Sequence, residues 1–244
     1  MANPTPQEEA RSATQRLAVF SGRMSVFDII GPRMVGPSSS HTAGALRLGL
    51  LARGVLGRTP ERARVGLHGS FATTYRGHGT DRAVAAGLLG MAPDDPRIPT
   101  SLDVARGAGM ELTFEPADLG PDAHPASLRF ELESGAERAT MVGSSIGGGS
   151  VEVTEVNGRP VDLSGRYDTL IVLAEDVPGT TAAVTHLLAE EGVNIAFLEV
   201  SREKRGREAS MLIQADHPIS DDLLARVQAF EWVRRARRLR KVTD

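Results

Sequence analysis

The chain between residues 24 and 163 alternates between helix-like and strand-like stretches. Apolar side chains recur at the spacing of a helix after residue 40, and a second stretch of this kind follows at 82–91. Apolar and polar residues alternate, as in strands with one buried face, at 63–70, 110–116, 127–134 and 139–156. This pattern predicts an α+β domain over residues 24–163, with a tight hairpin turn at Asn157-Gly158.

Residues 165–244 follow a different order of elements. Strand patterns at 167–176, 193–203, 207–216 and 232–240 are interleaved with helix patterns at 178–192 and 219–230. The order is βαββαβ, which is that of a ferredoxin-like split unit. Residues 1–23 are polar and lack a sustained period, so we interpret them as an extension outside both domains. The predicted fold class is therefore α+β, in two domains.

The composition predicts a globular protein with a substantial core, because 41% of the 244 residues are hydrophobic and 24% are charged. Apolar runs end well before the ~18 residues of a membrane span, and residues 1–10 do not resemble a signal peptide. We therefore expect a cytoplasmic protein with no membrane partner. The net charge of -3 gives no general attraction to nucleic acid. We interpret the arginines at 234–240, with Lys241, as a solvated strand face rather than an RNA-binding tail.

Two residue types are scarce. The chain contains no cysteine, which excludes disulfides, thiol catalysis and a thiolate-bound iron or zinc site within it. Any such cluster has to come from another chain. The lysines are Lys204 and Lys241, in a predicted hairpin turn and in the tail, so we expect no pyridoxal phosphate Schiff base.

The segment at 36–42, Gly-Pro-Ser-Ser-Ser-His-Thr, runs directly into a predicted helix. A helix N-terminus offers free N–H groups to a carboxylate or phosphate. Among its side chains, the imidazole of His41 has the pKa suited to proton transfer near neutrality. The hydroxyl groups that can orient an anionic substrate belong to Ser38, Ser39, Ser40 and Thr42. The alternative is a capped helix start with a surface histidine.

A second segment, Gly77–Asp81, repeats this arrangement, with His78, Thr80 and Asp81 at another predicted helix start. The carboxylate of Asp81 can hold the His78 imidazole in one tautomer, or it can simply cap the helix. His68 is equally consistent with a core histidine. The glycine-rich segment 143–150 lacks the lysine of a nucleotide-binding loop, and we interpret it as a glycine bulge between strands. No histidine spacing is diagnostic of a metal site.

Three motifs together carry a family resemblance: GPSSSHTAGALRLG, HGSFATTYRGHGTDRA and MVGSSIGGGSVEV, ahead of the βαββαβ segment. In this order they resemble the β chain of bacterial iron-sulfur-dependent L-serine dehydratase, over about residues 24–241. The C-terminal segment resembles an ACT domain, an amino-acid-sensing regulatory fold. The positions of this chain that match the family's effector contacts are Pro178, Gly179, Asn194 and Ile195.

The resemblance implies a partner, the α chain, whose cysteines hold a [4Fe-4S] cluster with one iron open to substrate. It also implies β-elimination of L-serine to pyruvate and ammonia. In that reaction His41 is expected to be the base, the hydroxyls of Ser38, Ser39, Ser40 and Thr42 to orient the substrate, and His78 and Asp81 to assist. The ACT-like domain is expected to self-associate and to bind an amino acid.

Two other classes remain open from the sequence. One is an amino-acid sensor without catalysis, which the ACT-like segment allows. The other is a serine hydrolase using Ser40 and His41, although neighbouring residues on a turn rarely face each other and Ser40 does not lie in a GxSxG elbow.

Overall fold

The computed structural model describes residues 32–202 and 207–243. The predicted extension at 1–23 and the predicted turn at Lys204 lie outside the described residues. Within the described ranges, no helix is both long enough and apolar enough to cross a membrane.

The first half of the chain forms a six-stranded sheet with helices against it. A π-helical turn, Ser39–Gly44, leads without a break into the first α-helix. The helices are α1 (Ala45–Leu56), α2 (Ser70–Thr74), α3 (Thr80–Leu89) and α4 (Ser101–Gly107). The strands are β1 (Arg62–Leu67), β2 (Glu111–Pro116), β3 (Ser127–Ser134), β4 (Glu137–Gly147), β5 (Ser150–Val156) and β6 (Arg159–Leu163).

The order in this sheet is β2-β1-β3-β4-β5-β6. β1 and β2 run parallel, joined by a crossover through α2, α3 and α4, and the other neighbours run antiparallel. The β5–β6 hairpin turns at Asn157 and Gly158, both with positive φ, as the sequence predicts. The sequence pattern missed α2 and α4, which are short.

Helices α1 and α3 pack closely because a glycine of each lies at the contact. A Cβ atom on Gly87 would overlap the carbonyl oxygen of Leu46 and come within 2.9 Å of the Cα atom of Gly49. Thr42, just before α1, bonds to His78, just before α3, so the two helices start side by side and run in the same general direction. The glycine contact therefore places both helix N-termini at one end of the domain.

The second half of the chain forms a four-stranded antiparallel sheet of β7 (Asp168–Glu175), β8 (Ile195–Arg202), β9 (Glu208–Ala215) and β10 (Val233–Leu239). Helices α5 (Thr180–Glu190) and α6 (Asp221–Gln228) cover one face and enclose a core with it. The strand order is β10-β7-β9-β8. This is the predicted ferredoxin-like arrangement, and the α+β fold class is confirmed.

The arginines of β10 do not form the solvated strand face that we predicted. Arg237 donates to the carbonyl of Leu56, at 3.2 Å, and to the Glu137 carboxylate, at 2.9 Å. Arg235 bonds to the same carboxylate at 3.1 Å, and Leu239 is buried in the core of the first half. Two of the five arginines at 234–240 therefore join the two halves of the chain, a pairing between distant segments that local pattern does not reveal.

The glycine contact between α1 and α3 yields a stability prediction. We expect Gly87→Ala to lower the free energy of unfolding by about 3 kcal/mol, the upper end of the range for overpacking, because the new methyl group meets backbone that has no room to move. Urea unfolding followed by circular dichroism measures the change. Gly107→Ala is the matched control, since nothing lies within 4 Å of the position that its new methyl group would take. An unchanged Gly87→Ala protein would contradict the close packing.

Candidate functional site

The turn that carries His41 is built by its own serines. Ser38 caps the π-helical turn, and its Oγ accepts a hydrogen bond of 3.1 Å from the backbone N–H of His41. The predicted serine cap is thus present. Gly44 lets this turn lie against β4, because a Cβ atom there would overlap Oγ of Ser145. π-Helical turns are rare and are frequent at functional sites.

Two threonines connect this turn to the start of α3. The Thr42 hydroxyl donates to the carbonyl oxygen of His78 at 3.1 Å, and the Thr80 hydroxyl donates to the carbonyl oxygen of His41 at 2.9 Å. Both threonines are buried. The carbonyl group of each histidine is therefore held by a threonine of the other segment. The segments 36–42 and 77–81, which the sequence analysis identified, thus lie in contact.

The imidazole rings of His41 and His78 lie with their centroids 4.9 Å apart, and the edge of Phe71 packs against His41 at 5.1 Å. Burial lowers the pKa of His41 below its ordinary value of 6.5, and charge repulsion from His78 lowers it further. The His41 imidazole is therefore neutral at pH 7 and able to accept a proton.

Ser40 and His41 face each other, contrary to our expectation for sequence neighbours. Ser40 Oγ lies 3.0 Å from Nδ1 of His41 and Ser38 Oγ lies 3.3 Å from Ser40 Oγ. The π-helical turn is the cause, since its wider winding changes the directions in which successive side chains point. Among the described residues no carboxylate bonds to His41, so the third member of a hydrolase triad is not in place there.

Asp81 does not assist His78 in the predicted way. Its carboxylate accepts the backbone N–H of Arg82 at 2.8 Å and borders a cavity of about 370 Å³ beside Tyr75 and Arg76. Nδ1 of His78 instead lies 3.4 Å from the carbonyl oxygen of Thr74. The predicted capping of α3 by Thr80 or Asp81 is also wrong, because Gly79 occupies the cap position and Thr80 is engaged with His41.

The glycine-rich segment forms the β4–β5 turn next to the π-helical turn. The pairing of β4 with β5 shifts between Ser145 and Gly147, which is the predicted bulge. Arg47, a buried residue of α1, donates to the carbonyl oxygen of Gly149 at 2.7 Å. Sequence reasoning missed Arg47, although a charged residue between Leu46 and Leu48 was an available signal.

His68 lies apart from this arrangement. Its Nδ1 accepts the backbone N–H of Leu119 at 3.2 Å, so the ring is half-buried and holds a loop rather than lying in the core. In the portion of the chain that the structure describes, no cluster of three potential ligand side chains is placed to hold a metal ion.

The four predicted effector contacts fall at opposite ends of the second sheet. Ile195 pairs with Ala215 at the end where β7 begins, and Asn194 precedes it. Pro178 and Gly179 follow β7 at its other end. Seven strand residues span about 23 Å, so one chain does not bring these two pairs into a single pocket.

Comparisons with known proteins agree on both halves of the chain. Residues 25–106 match the serine dehydratase beta chain family, and residues 169–231 match the ACT domain family. A probable L-serine dehydratase beta chain of Bacillus subtilis (strain 168) is 44% identical over 200 residues, covering 82% of this chain and 90% of the relative.

Two further relatives extend this pattern. The L-serine dehydratase beta chain of Peptoniphilus asaccharolyticus is 37% identical over 209 residues, covering 85% of this chain and 94% of that protein. A D-3-phosphoglycerate dehydrogenase of Synechocystis sp. (strain ATCC 27184 / PCC 6803 / Kazusa) is 25% identical over 190 residues, which are 78% of this chain and 34% of the dehydrogenase.

The surroundings of His41 predict its titration. By NMR we expect a midpoint below 6.5, which rises in His78→Asn because a repelling neighbour is removed. The His41 imidazole is protonated at higher pH in the unfolded chain than in the folded chain. We therefore expect His41 to lower the free energy of unfolding as the pH falls through 6.5. His186→Asn, an exposed change on α5, is the control and leaves the midpoint unchanged. A His41 midpoint at or above 6.5 would contradict the described environment.

Proposed function

Because this chain belongs to the family of L-serine dehydratase beta chains, we propose that it is one subunit of a two-chain enzyme that converts L-serine to pyruvate and ammonia. The observation that carries the proposal is the packing of His41 against His78 where the starts of two helices are held together by Thr42 and Thr80. Residues 24–163 are the catalytic domain in this proposal, and residues 165–244 are the regulatory domain.

The side chains of this subunit do not fit an iron-sulfur cluster. The chain has no cysteine, and its described residues contain no metal-ligand cluster. We assign the [4Fe-4S] cluster to a cysteine-bearing α chain, which is the partner that a beta chain implies. The contribution of the present chain is therefore binding, orientation and proton transfer.

One assignment of the hydrogen bonds around His41 makes its Nε2 the base. When Nδ1–H donates to Ser40 Oγ, the Ser40 hydroxyl donates to Ser38 Oγ, which also accepts the N–H of His41. This set of bonds is internally consistent and leaves Nε2 with a free electron pair. It also leaves the hydroxyl hydrogen of Ser38 free to donate to a substrate.

In the proposed step, Nε2 of His41 takes the Cα proton of L-serine, and the hydroxyl group leaves Cβ as hydroxide with the electron pair of the C–O bond. The hydroxide then takes up a proton, which His41 gives back, and departs as water. The electron pair of the broken C–H bond forms the Cα–Cβ double bond, and the resulting aminoacrylate tautomerises and is hydrolysed to pyruvate and ammonia. A Cα proton is a weak acid, so the developing charge needs stabilisation by positioned donors. The N–H groups at the start of the π-helical turn, with the hydroxyls of Ser38 and Ser39, are suited to hold the substrate carboxylate. Ser40 and Thr42 do not bind it in this arrangement, contrary to the expectation from the sequence, because their hydroxyl hydrogens are donated to Ser38 and to the carbonyl oxygen of His78.

The alternative is an amino-acid-binding regulatory protein without catalysis. The pairing of His41 with His78 favours a catalytic function over a purely regulatory one, because an effector site does not require a histidine with a lowered pKa. The two functions differ in whether substitution of His41 abolishes turnover.

Turnover by the assembled enzyme tests the catalytic proposal. We expect anaerobic co-expression with the cysteine-bearing partner to give pyruvate from L-serine, and this chain alone to give none. His41→Gln should lower kcat by at least about 100-fold, the usual loss for a general base. In the unsubstituted enzyme, kcat/KM should rise with pH to a plateau, with its midpoint below 6.5.

The matched control for this experiment is His186→Gln, an exposed change that should leave turnover intact. Activity of the isolated chain would disprove the two-chain arrangement. If His41→Gln retained normal turnover while His78→Gln lost it, the base would be His78.

The separation of the effector contacts favours a site built by two copies of the chain. Strand β8 is a sheet edge, and Phe197, Leu198 and Val200 on it are each at least 43% exposed. Exposed apolar edges favour pairing with another strand. Arg202, at the end of β8, lies 3.4 Å from Asp176 in the loop before α5.

Antiparallel pairing of two β8 edges would therefore bring Asn194 and Ile195 of one copy towards Pro178 and Gly179 of the other. We propose self-association through β8 and an amino acid, L-serine, bound where these residues meet. An amino acid that binds only where two copies meet would stabilise the dimer.

Sedimentation velocity on the whole chain tests this arrangement. We expect Val200→Lys to shift the protein to the mass of a single chain and to abolish the heat of L-serine binding, because a charged edge strand resists pairing. Ile146→Lys, an equally exposed apolar residue on β4, is the control. Serine binding with full affinity by monomeric Val200→Lys would overturn the two-copy site.

A further inference from the structure

A cavity of about 520 Å³ lies between the six-stranded and four-stranded sheets. Strands β4, β5 and β6 form one wall, and strands β7, β8, β9 and β10 form the other. Its size falls within the range of small-molecule sites, about 300–1,000 Å³, and such sites favour the junctions between domains. It is distinct from the His41 site and from the effector contacts discussed above.

The lining combines an apolar surface with a concentration of guanidinium groups. Helix α1 and both sheets contribute apolar side chains, which are Val55, Val156, Val161, Ile171, Leu173 and Leu212. Five arginines line the same space, against two glutamates, Glu199 and Glu208. The arginines are Arg138, Arg159, Arg234, Arg235 and Arg237.

Two carboxylates are each shared between two of these arginines. Glu137 bonds to Arg235 at 3.1 Å and to Arg237 at 2.9 Å. Glu208 bonds to Arg159 and lies 3.7 Å from Arg234. Glu137 balances one of its two guanidinium groups, so this group of three retains a positive charge towards the cavity. In the Glu208 group, Arg234 also lies 3.7 Å from Glu175.

The arginines remain accessible despite these pairs. The side chains of Arg159 and Arg235 are 30% and 36% exposed. Burial lowers the pKa of Arg237, and the nearby Arg235 and Arg58 add to this despite the opposing Glu137. An anion in the cavity would relieve that repulsion, and an apolar body on the anion would fill the space above Ile171 and Leu212.

We propose that this cavity binds a small organic carboxylate with an apolar body. Its carboxylate would lie on Arg235 and Arg159, which carry the shared ion pairs, and its hydrocarbon part would lie between the two sheets. The proposal does not depend on the dehydratase activity, because it concerns only residues outside the His41 site.

Calorimetry on the whole chain, with hexanoate as the probe, tests the proposal. We expect hexanoate to bind, with affinity rising about fourfold per methylene from butanoate to hexanoate as apolar surface is buried. Hexanamide has the same hydrocarbon part without the charge and should bind at least about tenfold more weakly, from the loss of charge-assisted hydrogen bonds.

Substitutions locate the binding. Arg235→Gln and Arg159→Gln should each weaken hexanoate binding about tenfold or more, and each leaves the shared glutamate with one arginine. Arg64→Gln is the control, since Arg64 is exposed on β1 and its ion pairs are with Glu115 and Glu131 outside the cavity. Unfolding curves confirm that each variant is folded.

Three results would overturn the site. They are no heat of hexanoate binding up to about 10 mM, equal binding of hexanamide, and an equal loss of affinity in Arg64→Gln and Arg235→Gln. Absence of binding would show that the cavity does not take carboxylates of this kind. Equal binding of hexanamide would show that the arginines do not recognise the charge. An equal loss in both variants would show that the effect is one of general surface charge.

Discussion

The close contact of α1 with α3 is the constraint on which the candidate site depends. Gly49 and Gly87 allow the backbones of the two helices to touch, and no side chain larger than hydrogen fits at Gly87. The helices run together from a common end, so the segments before them are brought within hydrogen-bonding distance. Thr42 and Thr80 then each hold the loop of the other histidine. The pairing of His41 with His78 is therefore set by packing several residues away from either ring.

The same packing explains the electrostatics of the site. His41 has Phe71 on one side and His78 on another, so its charged form loses water and gains a repelling neighbour. Both effects disfavour the imidazolium and favour the neutral imidazole, which is the form that the proposed reaction needs. In that proposal the base and the site for the substrate carboxylate lie next to each other, although one favours loss of positive charge and the other favours an anion.

Local pattern predicted most of the elements but not how they meet. The periodicity located α1, α3 and every strand of the second sheet to within a few residues, because burial imposes that period directly. It identified both histidine loops but not their contact, nor the parallel pairing of β1 with β2, since contacts between distant segments leave no period in the sequence. The sequence did not predict the direction of the Ser40 side chain, because a π-helical turn changes it. It did not predict the ion pairs of the β10 arginines, because their partners are far away in the chain.

Helix α1 joins the two halves of the protein in a way that neither sheet does. At its amino end it continues the turn that bears His41, and at its carboxyl end the carbonyl of Leu56 accepts a hydrogen bond from Arg237 of β10. Twelve residues of helix form a rod of about 18 Å, too stiff to shorten under small forces. One stiff element therefore carries His41 at its amino end and contacts the four-stranded sheet at its carboxyl end.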